Sequence, residues 1–412
     1  MNSPNYMEKL LDGVAVEWKS FGEVTLPTAN IRWRDTDSNY RYIDLTSVCR
    51  EKKTIIETSV ISSKNAPSRA QKLVLKDDII FATTRPTQQR FCCITAEYSG
   101  EVASTGYCVL RAKIDEVLPK WIFHNISSSE FKIYLEENQS GSAYPAISDV
   151  KVKEFQIPIP PLEIQTEIVR ILDTFTELTA ELTAELTARK KQYTYYRDRL
   201  LSFDLPAGRQ EGQVEWKALE KVTLPTDNIR WRDTENTYRY IDLTSVCREK
   251  NTIIETSEIS AENAPSRAQK LVLKDDVIFA TTRPAQQRLC LITEEYSGEV
   301  ASTGYCVLRA KDNEVLPKWI YHYITSSEFK IYVEENQSGS AYPAISDAKV
   351  KEFQIPIPPL TEQDRIVAIL DKFDALTSSI TEGLPREIEL RQKQYEYYRN
   401  LLLSFPKPEV TA

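Results

Sequence analysis

The sequence predicts an α+β protein built from two near-identical mixed α/β modules, separated by two long antiparallel coiled-coil helices and related by a pseudo-twofold axis. The first observation is a duplication: a block that opens with Val16-Glu-Trp-Lys19 returns at Val214-Glu-Trp-Lys217, and the copies agree at roughly five positions in six. The second is that each copy leads, through Ile-Pro-Ile-Pro-Pro-Leu, into a long stretch with helical periodicity. The third is that short β-branched and aromatic runs alternate with turns inside each copy.

The stretch from Leu162 to Phe203 is predicted to be one long helix. Its apolar residues step by three and four, which is the spacing of one helix face: Ile168, Ile171, Phe175, Leu178 and Leu182. It carries the tetrad Thr-Ala-Glu-Leu twice in succession, at 179–182 and 183–186. A helix of this length spans about 60 Å. It cannot bury its apolar face against one small domain, so it must pack against another long helix.

The partner helix is predicted in the same chain, from Leu360 to Phe405, because this stretch begins and ends like the first. It lacks the tetrads and carries Gly383-Leu-Pro385, which should break or kink it. The expected arrangement is an intramolecular antiparallel pair. The alternative is that each helix is recruited by a separate partner.

The repeat also sets the predicted domain boundaries. They are a lead-in at 1–15, a first module at 16–160, a central spacer helix at 161–204, a linker at 205–213, a second module at 214–358, a C-terminal spacer helix at 359–405 and a tail at 406–412. Each module is predicted to hold a sheet of roughly six short strands, followed by a helical region from Leu118 to Asn138 that breaks near Ser127–Ser129, where a serine caps the second helix. The segment from Phe155 to Pro160 is predicted to be extended and not central in a sheet, because its alternate prolines lack N–H donors.

Composition limits the classes of function. The chain of 412 residues has a net charge of −8, which argues against indiscriminate coating of nucleic acid. It has no apolar run long enough to span a membrane, and its seven cysteines, including the adjacent pair Cys92-Cys93, suit a reducing compartment. We therefore expect a cytoplasmic protein. The only histidines, His124 and His322, occupy matching positions in separate repeats, so no metal site is expected.

No catalytic constellation is recognisable, so we expect a binding protein and not an enzyme. Glycine-rich nucleotide or adenosylmethionine loops are missing, as is the Asn-Pro-Pro-aromatic motif of amino-methyltransferases. We expect no cofactor bound by this chain. The paired carboxylates Asp77-Asp78 and Asp275-Asp276 are interpreted as turn formers between strands.

Three repeated segments are suited to contact DNA. Asn30-Ile-Arg-Trp-Arg34 surrounds a tryptophan with arginines, although Trp33 could equally be a core residue with solvated arginines. The loop in Ala82–Arg90 bunches arginine and glutamine, which bond guanine and adenine edges, but a solvated hairpin loop is the alternative. Ser140-Gly-Ser-Ala-Tyr-Pro145 offers hydroxyls and backbone N–H groups for phosphate, or is only a loop. Ser104-Thr105-Gly106 is a weaker candidate that a turn explains fully.

These segments supply the predicted DNA-binding residues of both modules. In the first module they are Arg32, Arg34, Arg85, Gln88, Gln89, Arg90, Ser140, Ser142 and Tyr144. In the second they are Arg230, Arg232, Arg283, Gln286, Gln287, Arg288, Ser338, Ser340 and Tyr342.

The organisation resembles the specificity (S, HsdS-type) subunits of type I restriction–modification systems. The resemblance rests on Ser140–Ile147, Phe155–Leu162, Asp78–Pro86 and their repeats, and it covers essentially the whole chain. The tetrads, Arg189–Arg197 and Leu384–Leu390 are similar to the type IC branch.

The resemblance implies that each module is a target recognition domain reading one half of a bipartite double-stranded DNA target. It also implies two modification (M) subunits, which bind S-adenosylmethionine and methylate adenine, and restriction (R) subunits that translocate and cut. Family members usually carry two different recognition domains, whereas these are near copies, so an inverted-repeat target is expected. The alternative is a twin-module protein-binding scaffold with a coiled-coil spacer.

Overall fold

The computed structural model describes residues 10, 13, 14, 16–203, 214–248, 250–378 and 383–407. The predicted lead-in, linker and tail lie wholly or partly outside these residues. The chain divides into two compact units, one formed by Met1–Glu181 with Glu389–Ala412 and the other by Leu182–Ile388. The first unit contains module 1 and the second contains module 2. The divisions fall within the helical regions, and the domain boundaries drawn from the repeat stay a prediction.

Module 1 contains short strands followed by three helices and a last strand. The strands are Glu17–Ser20, Thr25–Leu26, Tyr40–Ile43, Val48–Cys49, Thr54–Ile55, Ser59–Ile61, Ala70–Leu73, Ile79–Ala82, Phe91–Cys93, Val102–Ser104, Tyr107–Ala112 and Gln156–Ile159. The helices are Pro119–Ile126, Ser129–Asn138 and Asp149–Glu154. The break predicted within 118–138 is confirmed, and the Ser128 hydroxyl caps the second helix by accepting from the N–H of Phe131 at 3.1 Å.

Module 2 repeats this order of elements and adds one helical turn, Leu219–Val222, between its first two strands. Its strands are Glu215–Ala218, Thr223–Leu224, Tyr238–Ile241, Val246–Cys247, Thr252–Ile253, Ser257–Ile259, Ala268–Leu271, Val277–Ala280, Leu289–Leu291, Val300–Ser302, Tyr305–Ala310 and Gln354–Ile357. Its helices are Leu219–Val222, Pro317–Ile324, Ser327–Asn336 and Asp347–Glu352.

The prediction of one sheet of about six strands is wrong, because the described residues of each module form two four-stranded sheets and two two-stranded ones. In module 1, one four-stranded sheet orders its strands as 59–61, 40–43, 102–104 and 70–73, with one parallel pair. The other orders them as 25–26, 107–112, 79–82 and 91–93, all antiparallel. The extended segment Gln156–Ile159 pairs only with Glu17–Ser20, at the edge position that its prolines allow.

The strand Ile79–Ala82 shows why the layers were hard to predict. All four of its residues are buried, so it lacks the alternation of a strand with one wet face. Ile79 and Phe81 pack into the core beneath the helices, and Ile80 and Ala82 pack into a second core between the two sheets. The strand is therefore the middle layer of the module.

The long helix is confirmed as a single element, Leu162–Leu201, here called the central helix. The C-terminal region forms two helices, Leu360–Ser378 and Gly383–Leu403, so the predicted break is also confirmed. Gly383 has φ +76, and a Cβ there would lie 2.6 Å from the carbonyl oxygen of Ala375, which only glycine avoids.

The central helix contacts a C-terminal helix within each unit. In the first unit, the Phe175 ring stacks on the Tyr398 ring at 5.4 Å. In the second, Tyr193 and Tyr196 stack on Phe373 at 6.3 and 6.0 Å. Later residues of the central helix thus pair with earlier residues of the C-terminal region, which is the predicted antiparallel order.

Buried polar side chains join each module to its helices. In the first unit, the amide of Gln165 accepts from the N–H of Leu118 and donates to the carbonyls of Glu116 and Pro160, at 2.8–3.0 Å. Gln363 makes the same three bonds in the second unit, with Leu316, Glu314 and Pro358. These bonds fix the direction in which each helix leaves its module.

The two histidines also belong to these joints. His124 is fully buried, and its Nε2 lies 3.0 Å from a carboxylate oxygen of Asp173 while its Nδ1 lies 3.1 Å from the Tyr395 hydroxyl. Burial lowers the pKa of His124, so the ring is neutral, with Nε2–H donating to Asp173 and Nδ1 accepting from Tyr395. His322 makes the equivalent contacts with Asp371 and Tyr193.

Candidate nucleic-acid interface

The loop that holds Arg85 to Arg90 follows the buried strand Ile79–Ala82. Its centre is a single 3₁₀ turn, Pro86–Gln88, and the flanking residues Arg85 and Gln89 have φ of 49° and 46°. A non-glycine residue with this left-handed backbone costs on the order of 1–2 kcal/mol. Arg283 and Gln287 adopt the same conformation in module 2. The surrounding structure therefore holds both arginines in a strained backbone, which is a feature typical of functional loops.

A second loop, from Ser140 to Ala146, closes on itself and packs beside the first. Ser140 and Ala146 exchange two backbone hydrogen bonds of 2.8 Å, and Thr84 forms an isolated bridge with Ala146. The N–H of Arg85 donates to the carbonyl of Pro145 at 2.7 Å. One expectation is corrected here: the N–H of Ser140 is bonded within the loop and so is not offered to phosphate.

The two loops bring predicted residues together. The Arg85 guanidinium lies 5.5 Å above the centre of the Tyr144 ring, and both residues are exposed, as are Ser140 and Ser142. In module 2, Arg283 lies 5.2 Å above the Tyr342 ring, with Ser338 and Ser340 exposed beside them. Segments more than 50 residues apart in sequence thus form one exposed cationic and aromatic patch in each module.

Other residues of the first loop turn towards the module. The Arg90 guanidinium donates to the carbonyls of Leu45 and Val48 at 2.8 and 3.2 Å, and the Gln89 amide lies 3.4 Å from the carbonyl of Ile126. In module 2, Arg288 donates to Leu243 and Val246. Each guanidinium therefore uses one of its nitrogens for hydrogen bonds that hold the loop to the module. The predicted DNA contacts of Gln88, Gln89, Arg90, Gln286, Gln287 and Arg288, all half-buried, stay predictions.

A half-buried lysine supports this loop in module 1. Lys53 donates to the carbonyl of Gln89 and lies 4.2 Å from the centre of the Phe91 ring. Burial lowers the pKa of Lys53 to about 8. Module 2 has Asn251 at this position, and its amide lies 3.4 Å from the Tyr321 hydroxyl.

The Arg-Trp-Arg turn resolves the alternatives for Trp33 in favour of packing. Its indole N–H donates to the carbonyl of Ala70 at 2.9 Å, and its ring packs edge-on against Tyr40. Arg32 and Arg34 are both exposed. Trp231, Arg230 and Arg232 repeat this arrangement. In each turn, the tryptophan therefore anchors the backbone to the module, and the arginines on either side of it are exposed to solvent.

The structure adds Arg69, which the sequence did not single out. Arg69 is exposed, and its carbonyl accepts from the N–H of Thr105 at 2.8 Å, next to Ala70, which binds Trp33. Gly106, in the same turn as Thr105, accepts from the N–H of Thr83. A row of hydrogen-bonded segments thus connects the Trp33 turn, Arg69 and the Arg85 loop. Arg267 holds the same place in module 2. The available signal was Pro67-Ser68-Arg69, which recurs unchanged as Pro265-Ser266-Arg267.

The acidic pairs Asp77-Asp78 and Asp275-Asp276 have structural roles. Asp77 has φ +70 in a turn, as predicted, whereas Asp78 is buried and receives two hydrogen bonds, of 2.8 and 2.7 Å, from the Arg111 guanidinium. Asp276 and Arg309 form the same pair. Within the described residues, no group of three or more metal-ligating side chains converges. Among the helices that the structure describes, none combines the length and the hydropathy of a transmembrane segment.

Comparison with known proteins matches the whole architecture. The family model of the type I restriction modification DNA specificity domain matches twice, over residues 34–189 and 205–390. The chain is 35% identical to the type I restriction enzyme EcoR124I/EcoR124II specificity subunit of Escherichia coli, over 100% of both chains. It is 30% identical to the E. coli EcoprrI specificity subunit, over 93% of each chain.

A solved structure supports the fold. A chain from a study of complex assembly and conformational transition in the type I R-M system aligns with a TM-score of 0.62 and 23% identity, covering 95% of this chain and 98% of that one. At this identity the likeness bears on the fold alone. Taken with the duplicated match and the full-length relatives, the repeated modules and paired helices have one explanation: the chain belongs to the type I restriction–modification DNA specificity family.

Proposed function

We propose that this chain is the sequence-specific DNA-binding subunit of a type I restriction–modification complex, with each module reading one half of a bipartite target. The observation that carries the proposal is the patch formed by Arg85, Tyr144 and Ser142, repeated by Arg283, Tyr342 and Ser340. Cationic, aromatic and hydroxyl groups on a rigid loop are the chemistry that binds phosphates and bases. Family membership favours DNA recognition over the protein-scaffold alternative.

The catalytic steps belong to partner subunits in this proposal. Two M subunits bind S-adenosylmethionine and methylate adenine, R subunits cut, and this chain positions them without a catalytic role of its own. The support is the family match and the similarity to specificity subunits of type I restriction enzymes. The complex acts on double-stranded DNA, and the cytoplasmic location expected from the sequence is part of the same proposal.

The proposed target is an inverted repeat. The loops Arg85–Arg90 and Arg283–Arg288 differ only at Thr87 and Ala285, so the two modules should read the same bases. Helices that run in opposite directions would relate the modules by a pseudo-twofold axis, and that relation requires inverted half-sites.

Methylome sequencing of cells that express this chain with its M subunit tests the proposal. The expected motif has two identical half-sites in inverted orientation, separated by a fixed unread spacer, with one methylated adenine in each half. Two unrelated half-sites would contradict the inverted repeat, and the absence of any new methylated motif from an assembled complex would contradict DNA specificity itself.

A further inference from the structure

The rings of Tyr144 and Tyr342 are displayed to solvent in a way that the fold does not require. Tyr144 is 73% exposed and Tyr342 is 71% exposed. A buried aromatic side chain removes 150–250 Å² from water, so each exposed ring forgoes a stabilising contribution. Single exposed apolar residues are common, and exposure by itself therefore assigns no role.

The loop that carries each ring is unusually well held. The two bonds between Ser140 and Ala146 close it, the N–H of Arg85 holds Pro145, and the N–H of Ile147 donates to the carbonyl of Thr83 at 2.9 Å. Gly141 has φ +93, and a Cβ at this position would lie 3.0 Å from the carbonyl oxygen of Tyr144, so glycine allows the tight closure. A ring on a rigid loop loses little conformational entropy when it binds.

The same closure is built in module 2. Ser338 and Ala344 exchange bonds of 2.8 Å, Arg283 holds Pro343, and Gly339 has φ +92. Both loops thus hold an exposed ring in one position relative to an arginine in a left-handed backbone conformation. This is a preorganised pair of a cation and an aromatic face.

A base is the chemical group that suits this pair. Bases stack on aromatic side chains and on arginine, and each stacked base contributes about 1–3 kcal/mol to binding. In a duplex both faces of a base are already stacked, so a ring can engage only where a base step has opened. An enzyme that modifies a base must remove that base from the stack, so an open step is expected close to a methylated half-site.

We propose that Tyr144 and Tyr342 are stacking platforms, each of which holds its ring against the face of an unstacked base at the half-site that its module reads. This inference rests on the proposed function and specifies what the patch recognises: an opened base step in addition to groove edges. Arg85 and Arg283 orient the rings and supply positive charge beside the opened step.

Permanganate footprinting of the complete complex with M subunits tests the inference, because permanganate oxidises thymines that have lost stacking. The probe is a duplex of the methylated motif, with thymine placed in turn at each position next to the half-sites. We expect enhanced oxidation at one position in both halves. Tyr144→Ala should raise oxidation further in one half, because the ring no longer covers one face of the opened thymine, and Tyr144→Ala with Tyr342→Ala should raise it in both halves, whereas Tyr144→Phe should leave it unchanged.

Affinity gives a second readout. Each Tyr→Ala change should weaken binding to cognate DNA by roughly 5- to 140-fold, which is the stacking contribution of about 1–3 kcal/mol converted at 1.4 kcal/mol per tenfold. Ile114→Asp is the matched control, because Ile114 is also 73% exposed, lies outside the patch and has Asp312 as its counterpart.

The outcomes separate this inference from the function on which it rests. A complex that fails to bind any specific DNA overturns the proposed function. Specific binding without enhanced oxidation at any thymine, or with oxidation unchanged in the double variant, overturns the stacking platform alone. Loss of M-subunit assembly in Tyr144→Ala would make the ring a protein contact and would also overturn it.

Discussion

At the scale of single residues, the near-identical modules act as controls for each other. Each substitution between them changes one side chain in a fold that is otherwise repeated. Three positions carry predictions: the lysine beneath the Arg85 loop, the residue beside a buried arginine and Arg85 itself.

Lys53 should destabilise module 1 at neutral pH. Its pKa is lowered from 10.5 to about 8 in the folded chain, so the unfolded chain binds more protons between these values and stability should rise with pH from about 8 to about 10.5. Lys53→Asn should raise stability at pH 7 by about 1 kcal/mol and remove the rise. Asparagine also tolerates the φ of +52 at this position better than lysine.

Thermal unfolding measured from pH 7 to pH 10 checks this prediction. Lys53→Met is the control for backbone conformation, because it removes the charge and keeps a residue that disfavours positive φ. A melting temperature that rises with pH as steeply in Lys53→Met as in the parent chain would show that another group is responsible.

Replacing Asn400 with aspartate should stabilise the first unit. Arg197 is 7% exposed and bonds Asp198 through two nitrogens, whereas Arg399, equally buried, is followed by Asn400. Among the described residues, Nε of Arg399 has no hydrogen-bond acceptor. Asn400→Asp would pair Arg399 and place a negative charge near the first turn of the helix Ser129–Asn138, beside Ser129, which Asn400 contacts.

Hydrogen exchange provides the measurement, since it reports on each unit separately. Asn400→Asp should slow exchange in the helix Ser129–Asn138, corresponding to about 1 kcal/mol, and Asp198→Asn should speed exchange in Ser327–Asn336 by a similar amount. Faster exchange in Asn400→Asp would show that burying the carboxylate costs more than the pairing returns.

Arg85 should contribute base readout. Arg85→Ala should relax specificity in one half-site, with a loss of roughly 1–3 kcal/mol of discrimination. Arg85→Lys keeps the charge but not the bidentate geometry, so it should relax specificity nearly as much. Binding measured on cognate and singly substituted duplexes decides the matter: equal weakening on all sequences, with rescue by lysine, would make Arg85 a phosphate contact.

At the scale of elements, the central helix connects regions that belong to both units. Because this helix is unbroken from Leu162 to Leu201, its length increases with the number of Thr-Ala-Glu-Leu tetrads that it contains. Each added residue extends the helix by about 1.5 Å and turns it by about 100°. The helix is therefore the element through which sequence length can set the unread spacer in the target.

Insertion of a third Thr-Ala-Glu-Leu after Leu186 should lengthen the unread spacer by one base pair. Four residues add about 6 Å and a net rotation of roughly 40°, which is close to the 34–36° between successive base pairs of B-DNA. Insertion of one alanine at the same point should abolish methylation, because about 100° of rotation misdirects the module. The methylated motif is the measurement, and an unchanged spacer with full activity would show that this helix does not set it.

At the scale of the whole molecule, net charge sets the expected dependence on partners. A chain with a net charge of −8 gains little from counterion release on DNA. We expect tight binding to cognate duplex only when M subunits are present, with a steep salt dependence that the isolated chain lacks. Titration of labelled cognate DNA at several salt concentrations tests this, and tight specific binding by the isolated chain at physiological salt would contradict it.

The sequence by itself determined the duplication, the long helices and the break at Gly383. These features are local or periodic. A repeat can be recognised in the sequence without any knowledge of the fold, and leucine spacing and proline position act within one turn of helix. The residues of the patch, including Arg85 and Tyr144, were likewise predicted from their chemistry, because arginine and hydroxyl-bearing side chains in a loop are suited to bond phosphates and base edges.

Only the tertiary structure decided which of those residues meet. The pairing of Arg85 with Tyr144 depends on a backbone bond across 60 residues, between Arg85 and Pro145, and the inward turn of Arg90 depends on carbonyls at Leu45 and Val48. The division into two sheets likewise depends on strands of two to six residues, which are too short for periodicity to separate, and on the strand Ile79–Ala82, which is buried on both faces. Long-range contacts of this kind decide the direction of a side chain, and no local pattern records them.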